Sequence, residues 1–392
     1  MIQIDEPRKS PAFALFNLGF RPFFLLGAIT AALLMGLWLI IYSGGIAVNY
    51  YTSAVYWHGH EMLFGFTLAI IGGFLLTAVR NWTSVQTIYG KPLALLALIW
   101  LTARILPLVG GIPGEIIAAV DLAFAPLLTL AIAYPVIRSR NYKNLLFVPI
   151  LSLFFVANLL VHLEVLGMTE NTAFTGLHMA LYLAIMIITV IGGRVIPFFT
   201  ERGVQGASCH RYAWVEKAVI PTTLLWLIAM LSGIPELILA LSLCTFALSL
   251  IRLYGWFNLP LLRVPLVWVL HLGYFFITLG FLLTALSIQQ LISSSVAIHS
   301  FAAGGIGLMT LGMMARISLG HTGRPLTMGP MMISAFVLMT LSAIIRVSIT
   351  SLPIPYLAGL HFSGTLWILA WILFLIRYLP ILSKPRADGL FG

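Results

Sequence analysis

The sequence predicts an all-α polytopic membrane protein in which twelve spanning helices form three repeats of four. Three observations carry that prediction. Of 392 residues, 61% are apolar and only 8% are charged, whereas soluble domains are roughly 45–50% apolar. The apolar residues fall in runs of about 20, the length that crosses the hydrocarbon core of a bilayer. Landmarks inside those runs recur about every 120 residues.

In chain order, the runs place helices at 17–42, 57–79, 91–109, 115–137, 144–164, 173–197, 213–232, 235–254, 264–287, 294–316, 326–347 and 354–379. The first follows a polar start (Asp5, Glu6, Arg8, Lys9) with no small-residue cleavage site, so it is expected to stay as a helix and not to leave as a signal peptide. The second, sixth and tenth each carry a histidine near the start: His58, His178 and His299, separated by 120 and 121 residues. Each then passes a glycine step toward an arginine: Gly72-Gly73 to Arg80, Gly192-Gly193-Arg194, and Gly312 to Arg316. The turns before the fourth, eighth and twelfth helices read GIPGE, GIPEL and LPIPY, and those helices end VIRSR, LIRLY and LIRYL. Several landmarks in one order indicate three homologous units at about 12–138, 139–256 and 257–380, within a single integral membrane domain spanning 1–392.

Assigning Lys and Arg to alternate sides places all but Arg104 and Arg346 on the side of the N-terminus. By the positive-inside rule both termini are cytoplasmic and the first connection, 43–56, is outside. The net charge of +10 thus reflects topology and gives no reason to expect a nucleic-acid partner. Cys209 and Cys244 supply neither a disulfide framework nor a CxxC pair, which argues against thiol redox chemistry.

In so charge-poor a chain, WHGHEML at 57–63 stands out. Six of the nine histidines fall at or near the outer ends of helices: His58, His60, His162, His178, His299 and His361. His271 lies deeper in the ninth helix, toward the cytoplasmic end, and His210 and His321 fall in cytoplasmic loops. Ionisable residues in spanning segments are costly and mark functional pathways, and neutral imidazole is a common ligand of haem iron and copper. A shared metal is therefore the leading reading of the cluster, although a single histidine at a helix end is more often a hydrogen-bonded interfacial residue. That plainer reading is preferred for His361 and His210.

His58 and His60 are about 200° apart on a regular helix and so face different neighbours. Glu61 shares a face with His58 and is expected to orient that imidazole; the plainer role, answering the helix dipole, is compatible with it. His162 and His178 flank one short loop and could share a metal. Arg104 and Arg346 occupy corresponding slots 242 residues apart. They are expected either to bind haem propionates in a bidentate fork or, as the alternative, to pair with Glu115, Asp121 or Glu164. The turns GGRVIPFFTERG and ARISLGHTGRP read as ordinary positive-inside loops rather than anion or donor sites. No GxxxxGK[ST], HExxH or strand-following dinucleotide fingerprint is present.

YWHGHEMLFGFTLAIIGGFLLTAVRNWTS, VIGGRVIPFFTERG, WVLHLGY, GLMTLGMMARISLGHTGRPL and KPRADGLFG, in that order from residue 56 to the C-terminus, resemble the NnrS family of bacterial inner-membrane proteins. The resemblance implies a protein of nitric oxide metabolism and nitrosative stress tolerance carrying haem, of b type, and copper. The histidines matching its motifs are His58, His60, His178, His271, His299 and His321; His162 matches less closely and His361 not at all. By analogy only, the helix count and the histidines on helices two, six and ten are similar to the catalytic subunit of haem-copper oxidases and respiratory nitric oxide reductases. The seventh helix lacks their histidine pair and the tenth carries only His299, which puts a copied active site in doubt.

The leading expectation is a haem-copper site near the periplasmic face that binds nitric oxide and reduces or otherwise detoxifies it, drawing on an electron donor the sequence does not identify. His58 and His299 are expected on haem, with His60, His162 and His178 around copper or a second haem. Swapping His58 with His60 fits equally, and His271 is held in reserve. Glu61 and Asp121 are the candidate proton carriers. The alternatives are a haem-based sensor or scavenger of nitric oxide without turnover, and a transporter, for which twofold or inverted repeats would be expected.

Overall fold

The computed structural model describes residues 13–46 and 50–392. The polar start with Asp5, Glu6, Arg8 and Lys9 lies outside the described residues. All twelve expected helices are present: α1 (Phe20–Tyr42), α2 (Ala54–Thr83), α3 (Lys91–Leu108), α4 (Gly114–Arg138), α5 (Tyr142–Val165), α6 (Thr172–Gly203), α7 (Ala213–Ser232), α8 (Pro235–Trp256), α9 (Pro265–Ile288), α10 (Ser294–Gly320), α11 (Pro330–Ser348) and α12 (Tyr356–Ser383). No strand occurs among the described residues. Each helix is long and apolar enough to cross a bilayer, where intrahelical hydrogen bonding satisfies the backbone. The chain is a multi-pass membrane protein.

Several boundaries shift by three to six residues from expectation, two of them instructively. α2 begins earlier than the apolar run because the Ser53 side chain caps it, accepting from the Tyr56 N–H at 3.1 Å. α6 continues through Pro197 to Gly203, a proline within the helix where the sequence suggested an end.

The helices that open with the repeated histidines are among the most enclosed. Within their most apolar stretches 83% of residues are buried in α2 and α6 and 78% in α10, against 33% in α7 and α8. α2 and α10 share a further feature: π-helical segments, at Glu61–Thr67 and Ser300–Ile306, begin immediately after His60 and His299. α6 is α-helical throughout. π segments carry a wider turn and are frequent at functional sites.

Packing divides the chain into two compact units. The first comprises residues 1–180, 314–326 and 371–392. Within it α1 packs on α2, α2 on α4, and α4 on both α3 and α5. Gly73 permits the close approach of α1, since a Cβ there would sit 3.2 Å from the Gly19 carbonyl and 3.3 Å from the Phe20 Cα. The end of α12 is held by Arg21, fully buried, whose Nη1 donates to the carbonyls of Leu382 (2.8 Å), Lys384 (2.9 Å) and Ile381 (3.2 Å), and Nη2 to Gly392 (2.6 Å). One guanidinium thus serves carbonyls that a helix end leaves unmatched.

The second unit comprises residues 181–313 and 327–370. Here α8 packs on α7 and α9, and α9 on α10 through small residues such as Gly280 and Gly304, whose places Phe301 and Phe276 fill. Arg252 of the LIRLY ending is buried: it forks onto Glu216 through Nε (2.9 Å) and Nη2 (2.6 Å), and Nη1 donates to the Thr189 carbonyl (2.9 Å) and the Tyr274 hydroxyl (3.2 Å). Only a glycine at 193 leaves room for that guanidinium.

Candidate metal centre

His60, in the second turn of α2, is fully buried, and the loop before the helix brings Tyr50 and Tyr51 alongside. Facing them are Asp121 on α4 and, four residues apart on one face of α5, Asn158 and His162. His60 Nε2 lies 3.0 Å from Asp121 Oδ2 and 2.9 Å from Asn158 Oδ1. His162 Nε2 lies 2.9 Å from the same carboxylate oxygen, to which Asn158 Nδ2 donates at 2.8 Å. The opposite ring nitrogens are tied down: His162 Nδ1 to the Tyr50 hydroxyl (2.9 Å), and His60 Nδ1 to the Tyr51 hydroxyl (2.8 Å) and Glu61 Oε1 (3.1 Å). Burial raises both phenols above their usual range, reinforced by Glu115 at Tyr50 and Glu61 at Tyr51, so both remain neutral hydroxyls at physiological pH.

Arg104, near the end of α3, closes the cluster. Its Nη1 donates to Glu61 Oε1 at 2.9 Å and its Nη2 to Asp121 Oδ1. The absence of a side chain at Gly65, in the π segment, gives Glu61 and Arg104 their space, and Trp100 Nε1 binds the Gly65 carbonyl at 3.1 Å. His60, Glu61, Arg104, Asp121 and His162 are all buried. Two buried carboxylates here face one guanidinium and two imidazoles, and both ring nitrogens of His60 lie against acceptor oxygens. Buried carboxylates need compensating positive charge, which a cation between the ligands would supply alongside Arg104.

The donor set fits a transition metal. His60, Asp121 and His162 offer ligand atoms within 4.8 Å of one another, the single such group among the described residues. Two imidazole nitrogens and a carboxylate oxygen suit Zn, Cu, Fe or Ni, and hydrogen bonds from the far ring nitrogens orient ligands as metal sites require.

Several expectations of detail change here. Glu61 contacts His60 and Arg104 in place of orienting His58, because the Arg104 guanidinium draws its carboxylate across the adjacent face. Of the two readings of Arg104, pairing with carboxylates is the arrangement present. Asp121, expected as a proton carrier, stands at the centre of the ligand set. Asn158, Tyr50 and Tyr51 were not anticipated, since neutral polar side chains in apolar runs carry no charge or spacing signal.

His58 and His60 do face different neighbours: the His58 ring stacks on Trp38, 4.3 Å between centroids at 18°. His178 lies outside the three-ligand group. Its Nδ1 donates to the Phe174 carbonyl (2.8 Å), as His271 Nδ1 does to Val267 (3.1 Å) and His299 Nδ1 to Ser295 (2.7 Å). A carbonyl can only accept, so these three imidazoles carry the proton on Nδ1 and the lone pair on Nε2, the form that ligates a metal. Arg346 reaches the Ser295 hydroxyl (3.3 Å), itself 3.3 Å from His299 Nδ1, and the Tyr356 hydroxyl (3.4 Å). A guanidinium and a ligand-form imidazole thus share one side chain within the second unit.

The profile of a protein family described as NnrS protein matches residues 14–386. Among curated proteins, none matches the chain significantly.

Proposed function

Since the chain belongs to the NnrS family, whose members are metal-binding membrane proteins of the nitric oxide response, we propose that it binds nitric oxide at bound metal and reduces or otherwise detoxifies it. The observation that carries this reading is the buried His60–Asp121–His162 group, with its ligand atoms gathered in one place and its outer ring nitrogens held by hydrogen bonds. These three side chains would hold copper, and the Nε2 lone pair of His299 in the second unit would serve haem iron. Arg346 would answer a haem propionate. Bound iron and copper supply open coordination positions and redox equivalents for a small neutral gas, which the apolar bundle admits freely.

The protein's own contribution is to orient and to move protons. Tyr50, His162, Asp121, His60 and Tyr51 form an unbroken hydrogen-bonded chain, with Glu61 and Arg104 branching from it. With a metal on His60, Asp121 and His162, the outer hydrogen bonds from Tyr50, Tyr51 and Glu61 would orient the ligands, and Glu61, which lies outside the ligand set, would be the proton carrier. Arg104 holds both carboxylates in place. Family membership supports a bacterial inner-membrane location, and the charge asymmetry supports cytoplasmic termini.

The experiment is an optical spectrum of purified protein, oxidised, reduced, and reduced with nitric oxide, with iron and copper analysis of the wild type, the His60→Ala/His162→Ala variant and His299→Ala. Copper lost from the first variant and haem bands lost or shifted in the second support the assignment. Wild-type protein free of both metals, or a double variant with unchanged metal content, overturns it. Nitric oxide consumption with a chemical reductant separates turnover from the alternative of binding alone, as in a sensor or scavenger.

A further inference from the structure

We propose that the groove between α3 and α4 in the first unit is a binding site for one anionic phospholipid. The groove encloses about 1200 Å³ and is walled by these two helices and by the 84–91 connection. Small-molecule pockets occupy roughly 300–1,000 Å³, so this space suits a larger, elongated guest. Its character changes along its length. One end is purely apolar, built by Leu95, Ile99, Leu127 and Leu130, of which the three leucines are exposed and so face the acyl chains of the bilayer. The other end carries Lys91, Arg138 and Tyr134, and no Asp or Glu lines any part of it.

Charge complementarity fixes the occupant. Lys91 is the first residue of α3 and Arg138 the last of α4, so both cations line the groove at the end that the charge pattern assigns to the cytoplasm. Arg138 suits the negative end of the α4 dipole, but Lys91 sits at the positive end of α3, where a cation is unfavourable unless an anion lies beside it. Arg138 Nη1 donates to the Tyr134 hydroxyl at 2.5 Å, with the guanidinium 5.8 Å from the ring centroid. That contact holds the charge over the mouth of the groove. A phosphate between Lys91 and Arg138, with acyl chains along the leucines, matches both ends at once, as basic pockets between spanning helices do for acidic lipids.

The connection that forms the far wall is fixed in place. Thr87 Oγ1 donates to the Leu76 carbonyl (2.8 Å), Gln86 Oε1 accepts from Arg80 Nε (2.8 Å), and the Gly90 N–H donates to the Phe16 carbonyl (2.8 Å). Gly90 adopts φ +62°, which a side chain would resist. The groove is therefore preformed.

The test uses full-length protein in mild detergent, offered palmitoyl-oleoyl phosphatidylglycerol or the matching phosphatidylcholine and analysed by native mass spectrometry. Wild type is expected to retain one phosphatidylglycerol in preference to phosphatidylcholine. In Lys91→Gln/Arg138→Gln, retention should weaken by about 30-fold, from roughly fivefold per cation at an anionic surface. Lys143→Gln, a cation outside the groove, should match wild type. Ala131→Trp, which fills the groove and leaves both charges, should also lose the lipid; circular dichroism confirms that each variant is folded. Equal retention of the two lipids, undiminished phosphatidylglycerol in the charge or filling variants, or an isoprenoid quinone extracted from the groove instead, overturns the proposal.

Discussion

Replacing Arg104 with glutamine asks whether the buried cluster is held together by charge. In the intact protein one guanidinium serves two carboxylates, Glu61 at 2.9 Å and Asp121, and the side chains of all three are at most 4% exposed. Glutamine keeps some of the volume and a hydrogen-bond donor but strands both carboxylates without a cation. Deleting one partner of a buried pair costs about 3–5 kcal/mol, and here a single deletion strands two anions, so the upper part of that range is expected. Asp121→Asn in the same background removes one of them. The double variant should then be less destabilised than the sum of the singles by more than about 1 kcal/mol, since the residues touch. Unfolding by SDS titration in detergent micelles, followed by tryptophan fluorescence, reads the difference; Trp57 and Trp100 are buried reporters in the same unit. A coupling below about 0.5 kcal/mol, the level seen for independent sites, would refute the electrostatic account of the cluster.

Further outcomes follow from other sites. Burial first, then Arg386, Arg80 and Arg21, push the His321 imidazole down to about 4. The unfolded chain, titrating near 6.5, therefore takes up a proton that the folded one refuses, so stability is full above pH 6.5 and falls as pH drops toward 4, by up to about 3 kcal/mol. Thermal unfolding at pH 7 and pH 5 should show this acid sensitivity, and His321→Phe should flatten it; an unchanged slope would count against the burial argument. Gly193→Ala should destabilise by about 3–5 kcal/mol, because the added Cβ displaces Arg252 from Glu216. In an Arg252→Leu/Glu216→Leu background the same change should be nearly neutral, and an equal cost there would show that the clash lies elsewhere.

The twelve helices were legible because a bilayer demands apolar runs of fixed length, and Gly, Pro and charged residues punctuate them. The histidine cluster was legible for the complementary reason: in a chain with so few charges, His60, Glu61 and Asp121 are conspicuous. Which side chain meets which was not legible. Arg104 offered two equally reasonable partners in the sequence, and only the fold brings α3 against α4 and α2 to choose the carboxylates. Glu61 was placed with His58 by regular helical spacing, whereas its carboxylate lies with His60 and Arg104. Asn158 and the two tyrosines complete the site through hydrogen bonds that no periodicity announces. Arg252 looked like one more cation obeying the positive-inside rule and is in fact a buried fork on Glu216.

The π segments after His60 and His299 bear on how such a site changes over evolutionary time. A π turn is equivalent to one residue inserted into an α-helix, and each residue swings what precedes it by about 100° around the axis. Deleting one residue anywhere in 61–67 would let the backbone relax into an unbroken α-helix while turning His58 and His60 onto a different face. The aim of these imidazoles is thus written in a residue count as well as in their rotamers. A lineage could redirect its ligands by a single codon gain or loss at low backbone cost, a route that the uninterrupted helix bearing His178 does not offer.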